Sequence, residues 1–140
     1  MKLIYFCCLL VFYSKAFAEW RQITKDDEKI YFVESNFIVP HLNDRRMAKE
    51  LHELRNISED GVTSLRIRSE FNCKMKETRI LAMDKVAGEM GVGKIISFQE
   101  EPSEWESINN NKSRNEVLNF VCSKKYLFVL HACCKNFFNN

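Results

Sequence analysis

Ser64-Leu65-Arg66-Ile67-Arg68-Ser69-Glu70-Phe71-Asn72-Cys73-Lys74 is the stretch that decides the fold. Side chains alternate across a β-strand with a period of two. Leu65, Ile67, Ser69, Phe71 and Cys73 therefore share one face, and Arg66, Arg68, Glu70, Asn72 and Lys74 share the other. Met75-Lys76 reads as a short turn, after which Thr78 to Val86 returns as a second strand. So close a return implies antiparallel pairing. Upstream, Trp20 to Ile23 and Lys29 to Val33 are short β-rich runs separated by the turn-prone Lys25-Asp26-Asp27-Glu28. Downstream, a link carrying Gly88, Gly91 and Gly93 leads into a further strand, Lys94 to Phe98, which Glu101-Pro102-Ser103 ends.

One helix is expected, late in the chain. Ser113-Arg114-Asn115-Glu116 has the capping-box pattern, in which the serine caps an orphan amide and the glutamate reaches back. Val117, Leu118, Val121 and Cys122 then fall on one helical face. The fold class is α+β: an antiparallel sheet of about five to six strands packed by one C-terminal helix. Met47 to Asn56 is ambiguous by local rules. Met47, Leu51 and Leu54 recur at helical spacing among good helix formers (Ala48, Lys49, Glu50, Glu53), so propensity alone reads helix.

Cys73 from the sheet and Cys122 from the helix face the same core, and the N-terminus says that they can oxidise. Met1-Lys2 starts positive, Leu3 to Phe12 is apolar, and Ala16-Phe17-Ala18 offers a small-x-small cleavage site before Glu19. That is a secretory signal peptide over residues 1–18, too short in its apolar run to cross a bilayer. The mature chain is expected to begin at Glu19 without lipid, since Tyr5-Phe6 is too bulky to precede a lipid-attached Cys7 or Cys8. In an oxidising compartment a Cys73–Cys122 bridge would close about fifty residues, worth about 4 kcal/mol in the chain-entropy account.

Loss of Lys2 and Lys15 with the signal leaves nineteen basic and nineteen acidic residues. A neutral chain lacks the basic excess that phosphate neutralisation requires, which excludes nucleic acid as a partner. Gly88-Glu89-Met90-Gly91-Val92-Gly93-Lys94 matches the phosphate-cradling loop, but Ile95 stands where Ser or Thr should hold magnesium. The residues that follow read as strand rather than helix, so nucleotide binding is excluded and the glycines are turn residues. His41, His52 and His131 are scattered. His131-Ala132-Cys133-Cys134 is a poor zinc set because adjacent cysteines hardly share a tetrahedron with so near a histidine. No Gly-x-Ser-x-Gly elbow occurs, so no enzyme, cofactor or metal is expected. Arg66, Arg68, Lys74, Lys76, Arg79 and Lys85 form the one local basic excess. Among them Arg66, Arg68, Lys74 and Lys76 are the candidate binding face, toward acidic glycans or an acidic protein surface.

Several anchors together resemble the surface-adhesin protein E family, small exported domains of Gram-negative bacteria. They are Glu70-Phe71-Asn72-Cys73, Arg79-Ile80-Leu81, Pro102-Ser103-Glu104-Trp105 followed by Ile108, and the helix ending Phe120-Val121-Cys122. The opening Glu19-Trp20 and the Lys29-Ile30-Tyr31-Phe32-Val33 strand are similar to the family's start, so the resemblance covers residues 19–122. It implies an antiparallel sheet backed by one C-terminal helix with the two cysteines bridged, and it turns Met47 to Leu54 into a strand, against propensity. Two features depart from the pattern. Asn109-Asn110-Asn111-Lys112 replaces the usual proline and glycine before the helix, and residues 123–140 form an added apolar tail of unknown role with Cys133 and Cys134. Within that tail, Tyr126 to Leu130 could supply a further edge strand.

The resemblance implies a non-enzymatic binding module of the periplasm or outer cell surface, with a protein or glycan partner and scope for a homodimer. The alternative is a periplasmic inhibitor or stress factor that plugs a cell-wall enzyme, for which the loop from Gly88 to Gly93 is the candidate. Trp20 and Trp105 are expected to be structural anchors, Trp105 covering the end of the sheet.

Overall fold

The computed structural model describes residues 19–124; the signal-peptide and tail readings lie outside the described residues. Six strands follow one another across a single sheet: β1 (Trp20–Lys25), β2 (Lys29–His41), β3 (Arg45–Leu54), β4 (Ser64–Asn72), β5 (Glu77–Ala87) and β6 (Lys94–Gln99). Every neighbouring pair is antiparallel and in sequence order, a meander with no crossover. A two-residue strand, β7 (Glu106–Ser107), adds to the free half of β5, and the helix α1 (Lys112–Ser123) closes the chain. The architecture is the α+β sheet-and-helix expected, with a seventh short strand.

β3 shows tertiary pairing overriding propensity. It lies mid-sheet, laddered to β2 on one side and over its whole length to β4 on the other. Ladder hydrogen bonds on both edges, plus burial of Ala48, Glu50, Leu51 and His52, outweigh the few tenths of a kcal/mol per residue that favour helix there. β2 also runs on to His41, past the Lys29–Val33 run legible in sequence, through an irregularity between Val33 and Ile38. Pro40 is accommodated in this strand near its end, next to the hairpin.

The helix lies against one face of β1–β4. Val117, Leu118 and Val121 are buried against Tyr31, Val33, Ala48 and Phe71, with Ile108 completing the cluster. Each such side chain contributes about 1.5–3 kcal/mol on leaving water. The helix start corrects the sequence reading. Asn111, not Ser113, is the cap: its backbone is extended and its Oδ1 accepts from Arg114 N at 2.9 Å. Ser113 is buried one residue inside the helix. Asparagine is as good a cap as serine, so the pattern alone could not choose between them.

The bridge joins Cys73 to Cys122 with 5.8 Å between their Cα atoms. β4 ends at Asn72, so Cys73 sits just past the strand, where the turn begins. A second correction concerns Glu70, assigned by alternation to the wet face but only 1 % exposed. Its carboxylate is held by His41, Arg45 and Arg79.

The loop between β5 and β6 is a single 3-10 turn, Glu89–Gly91, folded down onto the sheet face away from the helix. Gly91 N donates to Ser64 Oγ, Met90 N donates to Glu53, and Leu51 and Val86 are sealed beneath. No helix opens after Gly93, since β6 starts at Lys94; the phosphate-loop likeness ends there. A Cβ on Gly88 would stand 1.8 Å from the Val92 carbonyl oxygen, and one on Gly93 would stand 2.1 Å from that of Ala87. Gly88→Ala should therefore lower stability by more than about 1 kcal/mol in chemical denaturation, because the clash is with backbone that cannot step aside.

Candidate functional site

Two concave regions flank the sheet. The first lies on the face that the helix leaves uncovered, a groove of about 480 Å³. Register brings its wall together from distant sequence. Trp20 pairs with Glu34, and Lys49 pairs with Arg68 and Arg68 with Ala82; the Lys49–Glu34 ion pair joins the two sets where the β2–β3 ladder is interrupted. A parallel row joins Phe32, Leu51, Arg66, Asp84 and Phe98. Within it most charges are matched. Lys49 Nζ lies 3.5 Å from Glu34 and 4.1 Å from the centre of the Phe37 ring, and Arg66 lies 2.7 Å from Asp84. Arg68 is the exception. It is exposed, and among the described residues no carboxylate or carbonyl holds its guanidinium.

The second region is a cleft of about 510 Å³ on the helix side, where the helix N-terminus meets β2–β5. At its floor the fully buried Glu50 pairs with Arg114 from the helix, and His52 Nε2 lies 3.0 Å from the same carboxylate. Burial alone would push the Glu50 carboxyl up, but the Arg114 guanidinium and His52 hold it well below the usual carboxylate range. Arg114 also donates to Thr78 Oγ1 at 3.3 Å. Tyr31 donates to Asp26 at 2.8 Å, and burial together with that partner raises the phenol. The Glu50–Arg114 pair ties helix to sheet. Ser69 Oγ lines the cleft without a hydrogen-bond partner among the described residues.

The residues picked out in the sequence divide accordingly. Arg66 and Arg68 line the uncovered groove together with Trp20. Lys74 and Lys76 are exposed in the turn between β4 and β5, beside the disulfide, and do not line it. Trp105 is half-buried at the sheet's rim, its ring 5.0 Å from the Arg45 guanidinium and 4.8 Å from that of Arg79. Both arginines hold Glu70, whose carboxyl burial would raise but which His41 and Arg79 draw below its ordinary value. Sequence reasoning missed Glu34 and Lys49 in the groove and the Glu50–Arg114 pair. Glu50 and Arg114 stand 64 positions apart, a pairing that no local pattern encodes.

Among the described residues no cluster of three His, Cys, Asp or Glu side chains could hold a metal ion. No described helix is long and apolar enough to cross a membrane.

The fold is similar to that of Haemophilus influenzae protein E. One crystal form of that protein superposes with a TM-score of 0.60 at 12% sequence identity, covering 78% of this chain and 91% of that one. A second structure of it gives 0.56 at 12% identity, covering 78% and 87%. No curated protein sequence matches the chain. The family model for surface-adhesin protein E matches residues 20–123. The chain therefore belongs to the surface-adhesin protein E family.

Proposed function

We propose that this protein is an exported, non-enzymatic binding module of the cell envelope that grips an acidic group on a protein or glycan through the uncovered sheet face. The single observation that carries this is Arg68: an exposed guanidinium without a partner among the described residues, in a groove whose other charges are paired off. An unanswered fork of donors beside an aromatic wall (Trp20) suits a carboxylate or sulfate, which arginine binds with two parallel hydrogen bonds. Trp20 then serves the binding face as well as the sheet end. Family membership supports adhesion to a host or extracellular macromolecule and a non-enzymatic role. Localisation in the periplasm or on the outer surface, and association into a homodimer, belong to the same proposal. The alternative of an inhibitor that plugs a cell-wall enzyme has less support, because the Gly88–Gly93 loop is pinned to Ser64 and Glu53 rather than projecting.

The test is a binding panel of matrix proteins and sulfated glycans on the purified exported protein. Arg68→Glu should weaken the strongest interaction at least about tenfold, in the range of an interface hot spot, while the thermal transition is unchanged. Lys74→Glu and Lys76→Glu should have little effect. Wild-type binding by Arg68→Glu, or its loss with the two hairpin lysines alone, would move the site off the groove. Protease shaving of intact cells separates outer surface from periplasm.

A further inference from the structure

The helix leaves part of its own face of the sheet uncovered. Its packing contacts fall on β1–β4. Beside it, Leu65 and Ile67 of β4 and Ile80 and Met83 of β5 remain as an apolar strip in the cleft of about 510 Å³. That volume is in the range of small-ligand sites, about 300–1,000 Å³. The far wall is fixed. Between β6 and β7 the edge of β5 is taken up by Ser103, whose N donates to Ile80 O at 2.8 Å and whose Oγ accepts from Ile80 N at 3.0 Å. The polar requirement comes from Ser69. It stands opposite Ile80, 0 % exposed, and its Oγ has no hydrogen-bond partner among the described residues. Buried hydroxyls are nearly always paired, because an unpaired one forfeits the hydrogen bonds it made to water.

The charges select the kind of partner. Glu50 is paired with Arg114 and His52, and Arg79 with Glu70. Lys29 and Glu106, the other charged side chains of the lining, are opposite in sign, so the lining favours neither an anion nor a cation. An ionic head drawn down to Ser69 would lose its water without a free counter-charge there. An uncharged head needs only the hydroxyl. We propose that this cleft binds a small uncharged amphiphile, a primary amide or hydroxyl on an aliphatic body. The head hydrogen-bonds to Ser69 Oγ, and the body lies along Leu65, Ile67, Ile80 and Met83. Ser69 lies beneath the floor, so entry needs a wall that yields; Met83 is partly exposed and unbranched, a side chain that swings easily. Arg68 and Ser69 are consecutive in β4 and point to opposite faces, so this site is separate from the groove and does not rest on it.

Calorimetric titration of the exported protein with octanamide is the test, with backbone NMR shifts locating the contact. Octanamide should bind saturably and shift the amides of Ser69, Ile80 and Met83. Octanoate and octylamine, with the same chain length and a charged head, should bind at least about tenfold more weakly. Ser69→Ala should weaken octanamide about tenfold, the effect of losing one buried hydrogen bond. The same variant should melt no lower than wild type, because it deletes an unpaired hydroxyl; a serine kept for structure alone would lower the transition. Met83→Gln keeps the side-chain length and should weaken binding several-fold by making the strip polar. Octanamide that fails to saturate, leaving Ser69 to water, would overturn the proposal. So would octanoate or octylamine binding as tightly, or wild-type affinity in Ser69→Ala. Shifts confined to Arg68 and Ala82 would put the ligand in the other groove and overturn it equally.

Discussion

Cys73→Ala is expected to lower the stability of the exported protein by about 4 kcal/mol, and Cys122→Ala by the same amount. The bridge spans 49 positions and fastens the end of the only described helix to the β4–β5 turn. Without it the unfolded chain regains the freedom of a long loop, and a domain of this size has only about 5–15 kcal/mol in total to lose. The double variant Cys73→Ala/Cys122→Ala should match either single one, because all three remove the same crosslink. Denaturant titration measures the loss, and peptide mapping without reduction should recover the two cysteines joined. Recovery of either as a free thiol, or paired with Cys133 or Cys134, would contradict the structure at this point.

The second large effect is at the buried pair. Arg114→Met leaves the Glu50 carboxylate sealed under the helix with only His52 beside it, and should cost about 3–5 kcal/mol, the usual penalty for orphaning a buried charge. Adding Glu50→Gln should recover most of that loss, since the expense lies in the uncompensated ion more than in the missing contact. The pair also sets an acid limb. Glu50 has a folded pKa below its unfolded value, so its contribution is complete above about pH 4.3, the ordinary glutamate value. It is lost as the pH falls below that toward the depressed value. Glu70 acts in the same direction through His41 and Arg79. Glu50→Gln should therefore flatten part, and not all, of the fall in stability with acid. A stability–pH curve that falls as steeply in Glu50→Gln as in wild type would refute the assignment.

How much of this was legible in one dimension follows from the range of each interaction. The alternation of Leu65, Ile67, Ser69 and Phe71, the apolar helix face of Val117, Leu118 and Val121, and the glycines of the β5–β6 turn are short-range signals, so sheet, helix and disulfide could be read from them. Glu70 broke the alternation because a carboxylate can be buried when the His41 ring and the guanidinium groups of Arg45 and Arg79 converge on it from β2, β3 and β5, which no strand pattern announces. The helix cap slipped from Ser113 to Asn111 because both residues satisfy the same orphan amides and only the entry angle of the chain chooses.

Periodicity, turn chemistry and a few anchors sufficed to read the class of fold, the family and the pairing of Cys73 with Cys122 from the amino acids in order. The resemblance also gave Met47 to Leu54 as a strand, as β3 is; that Glu50 waits for Arg114, and that Arg66 and Arg68 lie beside Trp20 while Lys74 and Lys76 do not, emerged from the folded chain alone. The physical reason is register. A sheet brings together residues tens of positions apart, and a one-residue shift sends a side chain to the opposite face, so the composition of a face exists only once every strand has been paired.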